Sequence, residues 1–178
     1  SQPFVQNEYC LVHAGDTYII SPNAEYIKLL LKLQSELNAD AVFIVQKTAN
    51  PRQFGIIEAD EMDIGIYKVK AAIEKPEKPP SNLAILPIYA FDPVIFKALE
   101  KTDPDKGGEV QLTDAIQKMI DWGLNVYAVS LDSHDVWLDI GSPETYWHAL
   151  QLSYKHACEK LEKEIGENLK VSVEVPSS

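Results

Sequence analysis

Cysteine is nearly absent: Cys10 and Cys158 are the only two in 178 residues, and no CxxC spacing exists. That excludes a disulfide framework and a cysteine-based zinc site, and the expectation is a reducing, cytoplasmic setting. No apolar run approaches the length of a membrane span, and no basic-then-apolar leader follows Ser1, so neither a membrane helix nor a secretion signal is expected. Positive charge is also scarce, with 16 Lys and Arg against 27 Asp and Glu and a formal net charge of −11. Nucleic acid and anionic membranes recruit Lys and Arg, so both are excluded as partners. Nucleotides stay open, because a metal ion and a few local cations can offset the repulsion. Also missing are GxSxG, HExxH and any Walker-type glycine loop. His148 and His156 stand eight apart, the wrong spacing for a helical metal pair, and they read with His13 and His134 as structural or exposed.

What is present is apolar material, 46 % of the chain, enough for one well-buried domain over residues 1–178. Tyr9–Ala14 reads as a strand buried on both faces, with Gly15-Asp16 just past its end. Ser21-Pro22 then caps a helix with Ile27, Leu30, Leu31 and Leu37 on one face. Further strands are expected at 41–46, from Phe54, at 65–73, 83–91, 126–131 and 136–140. Pro87 inside one of them argues for an edge, a bulge or an early break. Asp92-Pro93 and Ser142-Pro143 cap further helices, and Leu112, Ala115, Ile116, Met119 and Ile120 form a helical stripe. On the last helix the buried face is expected to be Tyr146, Ala149, Leu150, Ala157, Leu161 and Ile165. Strands alternating with helices predict an α/β fold with a mixed, mostly parallel sheet flanked by helices.

Ligands of such sheets collect where strands end and helices begin. Asp16 and Asp139 both follow predicted strands, and two such carboxylates suit Mg²⁺, which completes its octahedron with water and phosphate oxygens. Either one alone reads first as a cap or turn residue. Glu74-Lys75-Pro76 ends another strand: the lysine can neutralise a monoester phosphate and the glutamate can accept sugar hydroxyls, or the pair is a solvated loop beside Lys78. Gly55 permits close backbone approach or merely a kink. Glu109, Gln111, Thr113 and Asp114 read first as an acidic helix N-terminus.

Taken jointly, these segments resemble the sugar-1-phosphate nucleotidyltransferase family. The match rests on Ala14-Gly15-Asp16, on 51–58 (PRQFGIIE), Glu74-Lys75-Pro76, 80–84 (PSNLA), Ile88-Tyr89, 108–116 (GEVQLTDAI) and 137–144 (WLDIGSPE). They run in the family's order over about residues 8 to 155, leaving 156–178 as helix end and tail. The resemblance implies a Rossmann-like fold and transfer of a nucleotidyl group, dTMP or UMP, from a triphosphate to glucose 1-phosphate or a related sugar phosphate. It implies that Asp16 and Asp139 hold Mg²⁺ and that Lys75 binds the sugar phosphate; Asp16, Lys75 and Asp139 are then the catalytic residues. Glu74, Gly55, Tyr89 and Glu109 would line the sugar pocket. The family's glycine-rich triphosphate loop does not occur in this chain, so its first strands are expected to be missing and the chain alone to be inactive. Pro87 stands where the family usually has glycine. A non-catalytic sugar-phosphate-binding module that pairs with another chain is the alternative reading. An unpaired sheet edge and an amphipathic last helix suggest a homo-oligomer.

Overall fold

Residues 41–45 (AVFIV) are apolar at five successive positions and fully buried at all of them, which only a strand covered on both faces allows. This segment opens β3 (Ala41–Lys47), the centre of the fold in a computed structural model that describes residues 2–5, 8–21 and 24–171. The chain divides into two compact units, Ser1–Ala14 with Ser21–His134, and Gly15–Ile20 with Asp135–Ser178.

The first unit holds α1 (Gln2–Val5), β1 (Cys10–His13), α2 (Glu25–Glu36), β3, β4 (Gly55–Asp63), β5 (Ile66–Glu74), β6 (Leu83–Phe91), α3 (Val94–Glu100), α4 (Leu112–Asp121) and β7 (Val126–Ser130). Its six strands lie in the order β1-β6-β3-β7-β5-β4. The odd residues Ala41, Phe43 and Val45 join Ile95 and Ala98 of α3 and Ala115, Ile116 and Met119 of α4 in one core. On α2 the buried positions are Leu30, Leu33 and Gln34, while Leu31 is exposed.

The α/β class is as expected, but the sheet is mixed and mostly antiparallel. Among the described residues only β3 and β7 run parallel; β1–β6, β3–β6, β4–β5, β4–β6 and β5–β7 are antiparallel. For one pair the reason is loop length: β4 and β5 are joined by Ile64-Gly65 alone, with Gly65 at φ +71°, and so short a connection makes an antiparallel hairpin. Pro87 lies on a strand with neighbours on both sides, and it sits in a bulge: Phe43 pairs with Tyr89 but Val45 pairs with Ile85.

Tyr9–Ala14 departs from expectation. β1 is an edge strand hydrogen-bonded to β6 alone, and Tyr9, Leu11 and Val12 are exposed. Pro22 lies outside the described residues; α2 is recorded from Glu25, after Ala24 at φ +51°. Asp92 does cap, its Oδ1 accepting the Val94 N–H at 2.8 Å.

The second unit pairs β2 (Thr17–Ile20) with β8 (Val136–Asp139) in a two-stranded antiparallel sheet, joined by α5 (Pro143–Val171). Ser142 and Thr145 cap α5 reciprocally, Ser142 N–H donating to Thr145 Oγ1 at 2.9 Å and Thr145 N–H to Ser142 Oγ at 3.2 Å. The predicted buried face of α5 is corrected: Ala149 is buried against this sheet, whereas Tyr146, Leu150, Ala157, Leu161 and Ile165 are exposed. Residues 172–178 of the expected tail lie outside the described residues. Among the described residues, no helix is long and apolar enough to cross a membrane.

Candidate active site

In the first unit, the end of β5 gathers most of the predicted site. Gly55, the first residue of β4, pairs with Glu74, the last residue of β5. Thr113, 39 residues further along at the start of α4, donates its hydroxyl to Glu74 Oε2 at 2.7 Å. A Cβ at Gly55 would fall 2.6 Å from Thr113 Oγ1 and 3.0 Å from Glu74 Oε2. The glycine is therefore required here by two side chains of the protein, which occupy the space beside it.

Lys75 follows at φ +41°, a region L-residues rarely adopt, and its N–H donates to the Phe54 carbonyl at 3.1 Å. Its ammonium is 3.7 Å from Glu74 Oε1 and is largely exposed. With Arg52, Pro76, Glu77 and Lys78 it lines a cavity of about 490 Å³. Arg52 is the sole arginine of the chain, so an acidic protein concentrates three cations around one cavity. That arrangement suits an anion of monoester-phosphate size.

Tyr89 of β6 is buried, stacks on Phe91 and has its hydroxyl pushed to a higher pKa by burial and then by the Glu74 charge. It stays a neutral phenol at physiological pH. Asp114 is raised too, first by burial and then by Glu74 and Asp105.

Glu109 stands on an exposed turn that Asp105 organises. Asp105 Oδ1 accepts the N–H groups of Gly107 and Glu109 at 2.7 and 3.1 Å, and Oδ2 accepts Gln111 Nε2 at 2.8 Å. These bonds, the one from Gln111 foremost, hold Asp105 below the usual carboxylate range. The predicted helix-terminus cluster thus splits: Gln111 serves the loop, Asp114 lies in the first turn of α4, and Thr113 serves β5.

In the second unit, Asp16 and Asp139 meet at one end of the two-stranded sheet. Thr17 pairs with Asp139, and the Ile140 N–H donates to the Asp16 carbonyl at 2.9 Å. Both aspartates are exposed, and a Cβ at Gly141 would fall 3.1 Å from Asp139 Oδ2, so this glycine leaves the carboxylate room. Backbone pairing thus brings the two residues to one end of the sheet, where they could supply at most two carboxylates to a hard divalent cation; among the described residues no group of three or more His, Cys, Asp or Glu is placed to hold a metal ion.

Thr113 and Asp105 are the residues that sequence reasoning left out of the site. A threonine in a first helical turn ordinarily reads as a local cap, and nothing in its neighbourhood along the chain reveals a partner 39 positions away.

Comparison with known proteins bears on the family resemblance and the fold. Residues 1–156 match the nucleotidyl transferase family. The low-salt glycan biosynthesis nucleotidyltransferase Agl11 of Haloferax volcanii is 35% identical over 155 residues, covering 85% of this chain and 40% of that protein. The UTP–glucose-1-phosphate uridylyltransferase of Pseudomonas aeruginosa is 32% identical over 161 residues, covering 87% and 56%. A crystal structure of a UDP-glucose pyrophosphorylase complexed with UDP-glucose superposes with a TM-score of 0.79 at 28% identity, over 87% of this chain and 59% of that one. The chain spans about half the length of the curated relatives it matches. With its strand-end carboxylates, its lysine and its mixed sheet, the chain belongs to the nucleotidyl transferase family.

Proposed function

We propose that this chain carries the sugar-phosphate side of a nucleotidyltransferase that moves UMP from UTP to glucose 1-phosphate and releases pyrophosphate. The observation that carries the reading is the end of β5, where an anchored carboxylate, Glu74, adjoins a lysine held at φ +41° beside a cavity with two further cations. A sugar 1-phosphate needs this combination, cations for the monoester and a fixed acceptor for ring hydroxyls. Lys75 binds the phosphate, with Arg52 and Lys78 adding field. Glu74 accepts sugar hydroxyls, and Gly55, Tyr89 and Glu109 complete the sugar pocket. The uridylyl group follows the activity named for the Pseudomonas relative. A cytoplasmic setting fits the free thiols of Cys10 and Cys158.

In the reaction a phosphate oxygen of the sugar 1-phosphate attacks the α-phosphorus of UTP in line, and the bond to the bridging oxygen breaks. The nucleophile is already anionic, so the chain's residues align groups and neutralise charge rather than remove a proton. Asp16 and Asp139 would hold Mg²⁺, which when bound supplies further charge neutralisation. The test is pyrophosphate release with UTP, glucose 1-phosphate and Mg²⁺, from this chain and from any longer polypeptide containing it. Turnover is expected from the longer form alone, and Asp139→Ala should abolish it. An enzyme indifferent to Asp139→Ala would contradict the metal assignment.

A further inference from the structure

We infer that Thr113 is a positioning residue for sugar recognition, orienting Glu74 through its hydroxyl; the inference rests on the reading of Glu74 as the acceptor of sugar hydroxyls. Thr113 is 7% exposed, and its Oγ1 lies 2.7 Å from Glu74 Oε2. Threonine hydroxyls at helix starts commonly bond to nearby backbone. Here the hydroxyl reaches a different element, and nothing in the local helix explains it.

Rotation cannot easily release the bond. A Cβ at Gly55 would meet both Thr113 Oγ1, at 2.6 Å, and Thr113 Cγ2, at 3.3 Å, so both branches of the side chain pack over that glycine. With Oε2 engaged by Thr113, Oε1 is the oxygen left toward Lys75, at 3.7 Å. The carboxylate is therefore turned to present one oxygen beside the phosphate-binding lysine.

The helix that carries Thr113 is itself held in register on β5. Gln117, one turn later, accepts the Ala72 N–H on its Oε1 at 2.7 Å. Pairing of β5 with β7 ends at Lys68, so this N–H has no strand on that side to receive it. Four helical residues rise about 6 Å, and two strand residues span about 6.6 Å. Thr113 and Gln117 thus match Glu74 and Ala72 as two bonds of one docking. Gln117 Nε2 donates onward to Asp121 Oδ1 at 2.7 Å, which fixes the amide's orientation. Thr113, placed by this docking, holds Glu74 as a side chain on a loop could not.

The test compares binding of glucose 1-phosphate and of inorganic phosphate to the 178-residue chain by calorimetry. Inorganic phosphate reports the cations, and the ratio of the two affinities reports the sugar contact. Thr113→Val should cut that ratio about tenfold, the scale of a hydrogen bond to a charged group, while Thr113→Ser stays within about twofold of wild type. Thr113→Ala, which inserts no methyl against Glu74, serves if the valine variant does not fold. On a Glu74→Ala background neither variant should change the ratio further. Preference kept in Thr113→Val or Thr113→Ala, or lost in Thr113→Ser, overturns the inference and leaves the reading of Glu74 intact. A wild-type chain with no preference for the sugar phosphate overturns that reading, and the inference with it.

Discussion

Placing a methyl group at Gly55 perturbs the candidate site from beneath. Gly55 does not have a positive φ, so Gly55→Ala meets no backbone strain and its effect is purely one of space. The added Cβ would lie 2.6 Å from Thr113 Oγ1 and 3.0 Å from Glu74 Oε2. Glu74 is the end of a flexible side chain and can swing away; Thr113 is short and buried, and cannot. Overpacking of this kind costs about 1–3 kcal/mol. A displaced hydrogen bond to a charged group costs about 1.5–3 kcal/mol. Replacing glycine in a strand returns about 0.5–1 kcal/mol of chain entropy. A net loss of about 3.5 kcal/mol is expected, which for this chain length lowers Tm by about 7–14 °C. Circular dichroism melts measure it directly. The control is the same substitution on a Thr113→Ala background, where the obstructing atoms are gone and Gly55→Ala should be neutral or stabilising. An unchanged or raised Tm for Gly55→Ala alone would refute the packing argument.

Two other substitutions separate stability from function. Asp114 holds its proton more firmly in the fold than in the unfolded chain, because of burial and the charges of Glu74 and Asp105. Its contribution is fully present below its ordinary value of 3.8 and is lost as pH rises through the raised native value. Asp114→Asn should therefore melt higher than wild type at neutral pH, with the gap closing as pH falls toward 3.8; a gap independent of pH would contradict this. Lys75→Gly should relieve the φ of +41° and raise stability by about 1 kcal/mol, read as a higher urea midpoint, while glucose 1-phosphate binding is lost. A lower midpoint would show that Lys75 is not strained.

Much of this was legible in the sequence because it is local. The apolar run of β3, the stripe on α4 and the caps at Asp92 and Ser142 each depend on neighbours a few positions away. The direction of one pair was legible too, in the two-residue loop between β4 and β5; the other antiparallel pairs join strands distant in the chain, where strand–helix alternation suggested a parallel sheet. The four residues of β2 were missed because Thr17–Ile20 is too short to show a period, and only its pairing with β8 makes it a strand. β1 and the stripe on α5 carry apolar residues that periodicity assigns to a core, yet Leu11 and Val12 of the one and all but Ala149 of the other are exposed. Pattern reports what a face could bury, not whether anything covers it. The bond from Thr113 to Glu74 was illegible for the opposite reason, as it depends on where α4 docks.

The account stands most directly on titration of glucose 1-phosphate into the 178-residue chain and its Lys75→Met variant, at fixed ionic strength. It predicts saturable binding by the wild type and a loss of at least about tenfold in the variant, the scale of one charge-assisted phosphate contact. Equal affinities, or a wild-type chain that does not bind the sugar phosphate at all, would contradict it.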